Sequence, residues 1–299
     1  MARILITGAS GFIGSALANK LHDLGHEIIV SGSRSERKCK HDYFLPPNCA
    51  GLSKLKTLDY CFHQAAHNDT TDTDEEYMYS INCDFSLEVF NQVADMGCKK
   101  IIYASSASVY GLLPPPHRED GETCPANIYS QSKNRLENIA NKFSEDKKIP
   151  VIGLRYFNVY GIGEQHKKNR ASMIYKLCKQ AIQDGKVSVF KSGEQTRDWV
   201  AVEDIVDLNI SCLEYNKSDV FNAVTGVGTS INDIISTIKE NLGKPLEVEY
   251  LDNPFTLFFQ NHTKAHIGKS QELLNYKSKV DIETGVKNLL EKMKKASSL

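Results

Sequence analysis

Short apolar runs alternate with amphipathic stretches along the first half of this chain. Residues 3–7 (RILIT), 27–31 (EIIVS), 59–63 (DYCFH), 100–105 (KIIYAS) and 151–157 (VIGLRYF) have the length and composition of buried strands. Between the first two, residues 12–24 place Phe12, Ile13, Leu17 and Leu21 at helical spacing. Residues 76–97 repeat that pattern, and another helix opens near NIYSQSK (127–133). Strand alternating with helix predicts a parallel sheet covered on both faces. The stretch 31–58 is polar and weakly periodic, and only a shortened strand is expected there, near HDYF (41–44). After Gly161 the alternation loosens. A helix is expected over 171–185, a strand over 187–190 (VSVF), a helix within 200–215 and a strand over 220–224. No Pro/Ser-rich linker separates the two parts. The expected fold is α/β, a doubly wound parallel Rossmann sheet with a smaller, interleaved C-terminal lobe. Residues 1–160 plus 187–226 make the first unit, and 161–186 plus 227–299 the second.

The loop between the first strand and first helix reads Gly8-Ala9-Ser10-Gly11-Phe12-Ile13-Gly14. This is the setting of a dinucleotide fingerprint, here spaced G-x-x-G-x-x-G. Gly8 allows the tight turn, Gly11 lets amides approach a pyrophosphate at the helix N-terminus, and Gly14 permits close helix–strand contact. An NAD-binding unit usually ends its second strand in a carboxylate that bonds the ribose hydroxyls. Here Ser31-Gly32-Ser33-Arg34 follows; Arg34, or further on Arg37 or Lys38, suits a 2′-phosphate, and Ser33 is expected beside the cofactor. NADP is therefore expected to be preferred, with NAD the alternative.

Composition narrows the rest. The chain has 299 residues, 24% of them charged, with a net charge of −1. No basic footprint for nucleic acid is present. Mean hydropathy is −0.36, and no apolar run reaches the length of a membrane span. The N-terminus shows no signal-peptide pattern. None of the eight cysteines falls in a C-x-x-C pair, so a zinc or dithiol site is not expected. They read as reduced thiols of a cytoplasmic protein.

Tyr129 and Lys133 stand four apart, on one face of the expected helix. A lysine ammonium near a phenol favours the phenolate, which would make a base of Tyr129. A solvated helix face gives the same spacing by accident. Taken in order, GASGFIG, YASSASVYG, YSQSK, RYFNVYG, EQTRDWVAVEDI and FNAVTG resemble the extended short-chain dehydrogenase/reductase family, its nucleotide-sugar epimerases and dehydratases in particular. The likeness spans nearly the whole chain. EQHKKNRASM (164–173) and FFQNHTKAH (258–266) are most similar to the heptose 6-epimerase branch, and EQTRDW is equally similar to the glucose 4-epimerase branch.

The resemblance implies reversible hydride transfer to a nicotinamide, with Ser106, Tyr129 and Lys133 as the catalytic set. Lys133 would also hold the nicotinamide ribose, and the backbone at Ala65 and Ala66 would pass beside the cofactor. Dehydratases of the family carry Asp-Glu directly after the serine position; here Ala107-Ser108 stands there. Epimerisation is thus implied ahead of dehydration, with a reductase of net cofactor turnover and a non-catalytic NADP-binding protein as the other readings. Lys167 matches the second base of the heptose epimerases. Asn158, Phe190, Arg197 and Gln260 match positions that contact a nucleotide-diphosphate sugar. Asp198 is expected in a structural ion pair, and Asn82 bracing the strand of Ser106. The helices around 81–97 and 128–143 imply a homodimer through a helical bundle. One departure is the missing arginine in NPFTLFFQ (253–260), where the family usually clamps the diphosphate.

Overall fold

The computed structural model of the chain describes residues 1–33, 39–190, 192–252 and 262–297. Arg34, Arg37, Lys38 and Gln260 lie outside the described residues. The first half alternates as expected: β1 (Arg3–Thr7), α1 (Phe12–Asp23), β2 (Glu27–Ser31), β3 (Tyr43–Leu45), β4 (Tyr60–His63), α2 (Glu75–Tyr79), α3 (Phe85–Asp95), β5 (Lys100–Ser106), α4 (Ile128–Lys147) and β6 (Val151–Tyr156). The second half runs β7 (Asn158–Tyr160), α5 (Met173–Asp184), β8 (Lys186–Phe190), β9 (Thr196–Ala201), α6 (Val202–Ser211), β10 (Asp219–Ala223), β11 (Gly228–Ser230), α7 (Ile231–Leu242), β12 (Glu247–Leu251), α8 (Gly268–Leu274) and α9 (Ile282–Ser297).

Seven strands form one parallel sheet in the order β10-β6-β5-β4-β1-β2-β3. Strand order reverses between β1 and β4, and a crevice for ligands opens beyond the carboxyl ends there. Ile4, Ile6, Phe62, Ile102 and Leu154 sit on one face of the sheet under α1 and α6, fully buried. Leu5, Ile29, Cys61, Ile101 and Tyr103 face the other side, under α3 and α4. Each of the Ile, Leu and Phe side chains among these contributes about 1.5–3 kcal/mol by leaving water. The described residues between β2 and β3 contain no helix, and β3 has three residues.

The helix expected over 76–97 is interrupted. A π-helical turn at Ser80–Asp84 separates α2 from α3 and turns Asn82 and Cys83 inward. Residues 187–190, grouped above with the first unit, pair in parallel with β12 instead. Their Val187 and Val189 join a separate apolar cluster with Leu177, Trp199, Ile234 and Leu290. The alternation of VSVF buries one face only, as a two-stranded sheet under helices requires.

Candidate active site

A cavity of about 700 Å³ runs along the carboxyl ends of the seven-stranded sheet. Its floor is the glycine loop. Gly8 has φ +66°, and a Cβ there would stand 2.6 Å from the Ala65 amide nitrogen. A Cβ on Gly14 would stand 2.4 Å from the Gly8 carbonyl oxygen. No larger residue fits at either place without moving backbone. Gly8, Ser10, Gly11, Phe12, Ile13 and Gly14 all line the cavity. Ser33, Ala65 and Ala66 line it as well, and the Ser10 hydroxyl donates to the Ser33 carbonyl.

The first turn of α1 contains no acidic residue, and no side chain caps its N–H groups. Free donors at a helix start, facing a cavity, suit a diphosphate. The carboxylate usual at the end of β2 is absent; Ser31 is buried there and donates to the Pro46 carbonyl at 2.8 Å. These residues fit a nicotinamide dinucleotide: the loop would hold the diphosphate, and Tyr129 and Lys133 line the far wall.

Helix α4 presents that wall. Asn127 caps it, its side chain accepting from the Ser130 amide at 2.8 Å while the Ser130 hydroxyl accepts from the Asn127 amide at 3.0 Å. This reciprocal cap fixes the turn that carries Tyr129. The Lys133 ammonium donates to the Ala104 carbonyl at 2.8 Å and stands 6.0 Å from the centre of the Tyr129 ring. Ser106, at the end of β5, lines the cavity beside them, its hydroxyl accepting from the Ser108 amide at 3.2 Å.

The electrostatics differ from the expectation that Lys133 acidifies Tyr129. Burial pushes the phenol above its ordinary value, and the opposing pull comes from the neighbouring Ser106 hydroxyl. Lys133 is itself pushed down to about 8 by burial. Its ammonium is engaged by Ala104. In the chain alone Tyr129 is a proton donor, and Ser106 is the neighbour that favours its ionised form.

Lys167 also lines the cavity, with its ammonium 5.0 Å above the Phe12 ring. Lys168 is exposed, with φ 49° and ψ −120°. His166, Arg170 and Asn68 share the wall, and Arg170 donates to the Asn68 side chain at 3.2 Å.

The expected substrate contacts stand apart. Asn158, Phe190 and Arg197 are half-buried and do not line this cavity. Asn158 donates to the Asp198 carbonyl at 3.2 Å, and Arg197 to the Thr196 carbonyl at 2.9 Å. Among the described residues Asp198 is buried without a cationic partner, contrary to the ion pair expected. Its carboxylate accepts from the Thr225 amide (2.9 Å), the Thr225 hydroxyl (2.8 Å) and the Gly226 amide (3.0 Å). Burial raises it to about 6. Asn82 does not brace β5. It accepts from the His67 amide at 2.8 Å and donates to the Ser132 hydroxyl at 2.9 Å, joining the loop after β4 to α4.

Two charged groups escaped the sequence reading. Glu137, one turn beyond Lys133, accepts from Ser105 at 2.5 Å and from the Arg155 guanidinium at 2.9 and 2.7 Å. Arg155 continues to the Tyr110 hydroxyl at 2.8 Å. The one trace of Glu137 in the sequence is the spacing 129, 133, 137 along one helix face, which does not reveal the partnership with Arg155. The second group is Glu164, fully buried behind Lys167.

The model of the NAD dependent epimerase/dehydratase family matches residues 4–228. The chain belongs to that family. It is 31% identical to the ADP-L-glycero-D-manno-heptose-6-epimerase of Brachyspira hyodysenteriae, with 98% of each chain covered. The structure of the Helicobacter pylori enzyme of that name superposes with a TM-score of 0.88 at 34% identity, covering 98% of this chain and 96% of that one. The UDP-glucose 4-epimerase of Thermotoga maritima, solved with UDP-glucose, gives a TM-score of 0.89 at 27% identity and 99% coverage of both. This family member takes an NAD(P)-type cofactor. No helix among the described residues is long and apolar enough to cross a membrane.

Proposed function

We propose that the chain epimerises a sugar carried on a nucleoside diphosphate, by oxidation to a keto or aldehyde intermediate and re-reduction on the other face. The observation that carries this reading is one cavity lined by Ser106, Tyr129, Lys133 and Lys167, with no carboxylate at positions 107–108 to expel water. When bound, the nicotinamide supplies a hydride acceptor and a positively charged ring. Tyr129 takes and returns the proton of the sugar hydroxyl, Ser106 shares that proton's hydrogen bond and favours the ionised phenol, and Lys133 would hold the nicotinamide ribose. Lys167 gives a second proton carrier for an intermediate that turns before reduction.

The similarity to heptose 6-epimerases supports an ADP-heptose as substrate and C6 as the inverted carbon. The test incubates purified protein with that nucleotide sugar and follows it by NMR. The 6-epimer should form, without lasting reduced-nicotinamide absorbance and without solvent deuterium at the inverted carbon. Net, lasting reduction would refute epimerisation. Asn158, Phe190, Arg197 and Gln260 are assigned to binding of the nucleotide-diphosphate sugar. NADP is the proposed cofactor, on the missing carboxylate after β2. Equal or tighter binding of NAD in a fluorescence titration would overturn that. A homodimer through α3 and α4 and a cytoplasmic location complete the reading, the first tested by light scattering on the purified protein.

A further inference from the structure

We infer that Glu164 is the positioning residue of Lys167, fixing where that amine stands in the cavity wall. The inference rests on the role given to Lys167 above. Glu164 is 0% exposed. A carboxylate so placed persists only with its acceptor positions filled. Its Oε1 accepts from the Gly161 amide at 3.1 Å and the Ser172 hydroxyl at 2.7 Å. Its Oε2 accepts from the Ser172 amide at 2.7 Å and the Lys167 ammonium at 3.0 Å. Gly161 N and both Ser172 groups belong to the loop and to the cap of α5, where the Ser172 hydroxyl also accepts from the Tyr175 amide. Three of the four donors are thus set by backbone and cap, and the lysine is the flexible one. The carboxylate therefore orients the lysine, not the reverse.

A solvent-exposed pair three residues apart would do little of this, because water competes for both charges. Here the acid is closed off, and the lysine side chain is 21% exposed. A second contact limits the ammonium further, the face of Phe12 in the glycine loop at 5.0 Å. The Lys167 amide donates to the Glu164 carbonyl at 2.8 Å, so the turn between the two residues is closed by backbone as well. Lysine carries large rotamer freedom. Removing it before substrate arrives is how a proton carrier is held within reach of a reacting atom.

A double-mutant cycle tests this with wild type, Glu164→Gln, Lys167→Ala and the double variant. Two readouts are taken: kcat and KM for the sugar nucleotide, and the rate at which an acylating reagent labels Lys167, by mass spectrometry. Glu164→Gln should lower kcat about 10- to 100-fold with KM little changed, and should speed labelling of Lys167 while leaving Lys133 unlabelled. In the Lys167→Ala background it should cost no further turnover. An equal loss in both backgrounds, or unchanged labelling of Lys167, overturns the positioning role and leaves Glu164 a structural brace. Turnover left intact by Lys167→Ala would instead overturn the role of that lysine, and the labelling comparison then decides the placement by itself. Should Glu164→Gln fail to fold, Glu164→Asp keeps the charge, retracts it by one methylene and carries the same comparison.

Discussion

Replacing Lys133 with methionine should make the cofactor-free protein more stable while destroying its activity. Lys133 is 2% exposed, and its ammonium donates to the Ala104 carbonyl. Burial lowers it from 10.5 to about 8. At about 1.4 kcal/mol per pH unit, this is a penalty of about 3 kcal/mol for holding the charged form inside the fold. The sign follows from proton binding. The unfolded chain holds this proton more tightly, so the penalty is complete below pH 8 and fades as pH rises toward 10.5. Methionine has no charge to bury and similar length. It forfeits the hydrogen bond to Ala104, worth about 1 kcal/mol, and that carbonyl lines the cavity where water can replace the donor. Lys133→Met should therefore be about 2 kcal/mol more stable at neutral pH. The assay is urea unfolding of both proteins across a pH series. Tyrosines and cysteines titrate in both and cancel in the difference. A variant no more stable than wild type at neutral pH, or a gap that does not shrink above pH 8, would refute the reasoning.

Tyr129→Phe should lower kcat by about 10³-fold, with cofactor affinity and unfolding midpoint close to wild type; retained turnover in a stopped assay would remove Tyr129 from the chemistry. Glu137→Leu leaves the Arg155 charge buried without its partner and should cost about 3–5 kcal/mol, whereas Glu137→Leu with Arg155→Met should recover most of that, both read by urea midpoint. Lys168→Gly relieves a left-handed backbone in a side-chain-bearing residue and should gain about 1 kcal/mol after the entropy cost of glycine, with turnover unchanged; a lower melting temperature would contradict it.

The sheet strands were legible because burial on both faces writes continuous apolar blocks, and β1, β2 and β10 fall within a residue of the expected spans. The interruption of the second long helix was not, since a π turn inserts one residue into a pattern that still looks amphipathic. Strand pairing was the other blind spot. Alternation in 187–190 shows that one face is buried, but it does not say against which sheet. At the site, the glycine loop and the Tyr129–Lys133 pair could be read from spacing, because each depends on local geometry. Glu137 with Arg155 and Glu164 with Ser172 could not. Both are partnerships across distant or irregular segments, visible only once burial is known. The charge balance around Tyr129 was misjudged for the same reason: proximity in sequence suggested attraction, while desolvation decides the sign for both groups.

One edge strand of the large sheet, β10, comes from residues 219–223, after the chain has left the sheet through β7 to α6 and come back. During synthesis the flank of β6, with Val151, Ile152 and Leu154, therefore stays without its neighbour until more than two thirds of the polypeptide exists. Open strand flanks recruit other chains. A fragment ending before residue 219 should self-associate, and nascent chains paused before that point are where a chaperone would be needed most.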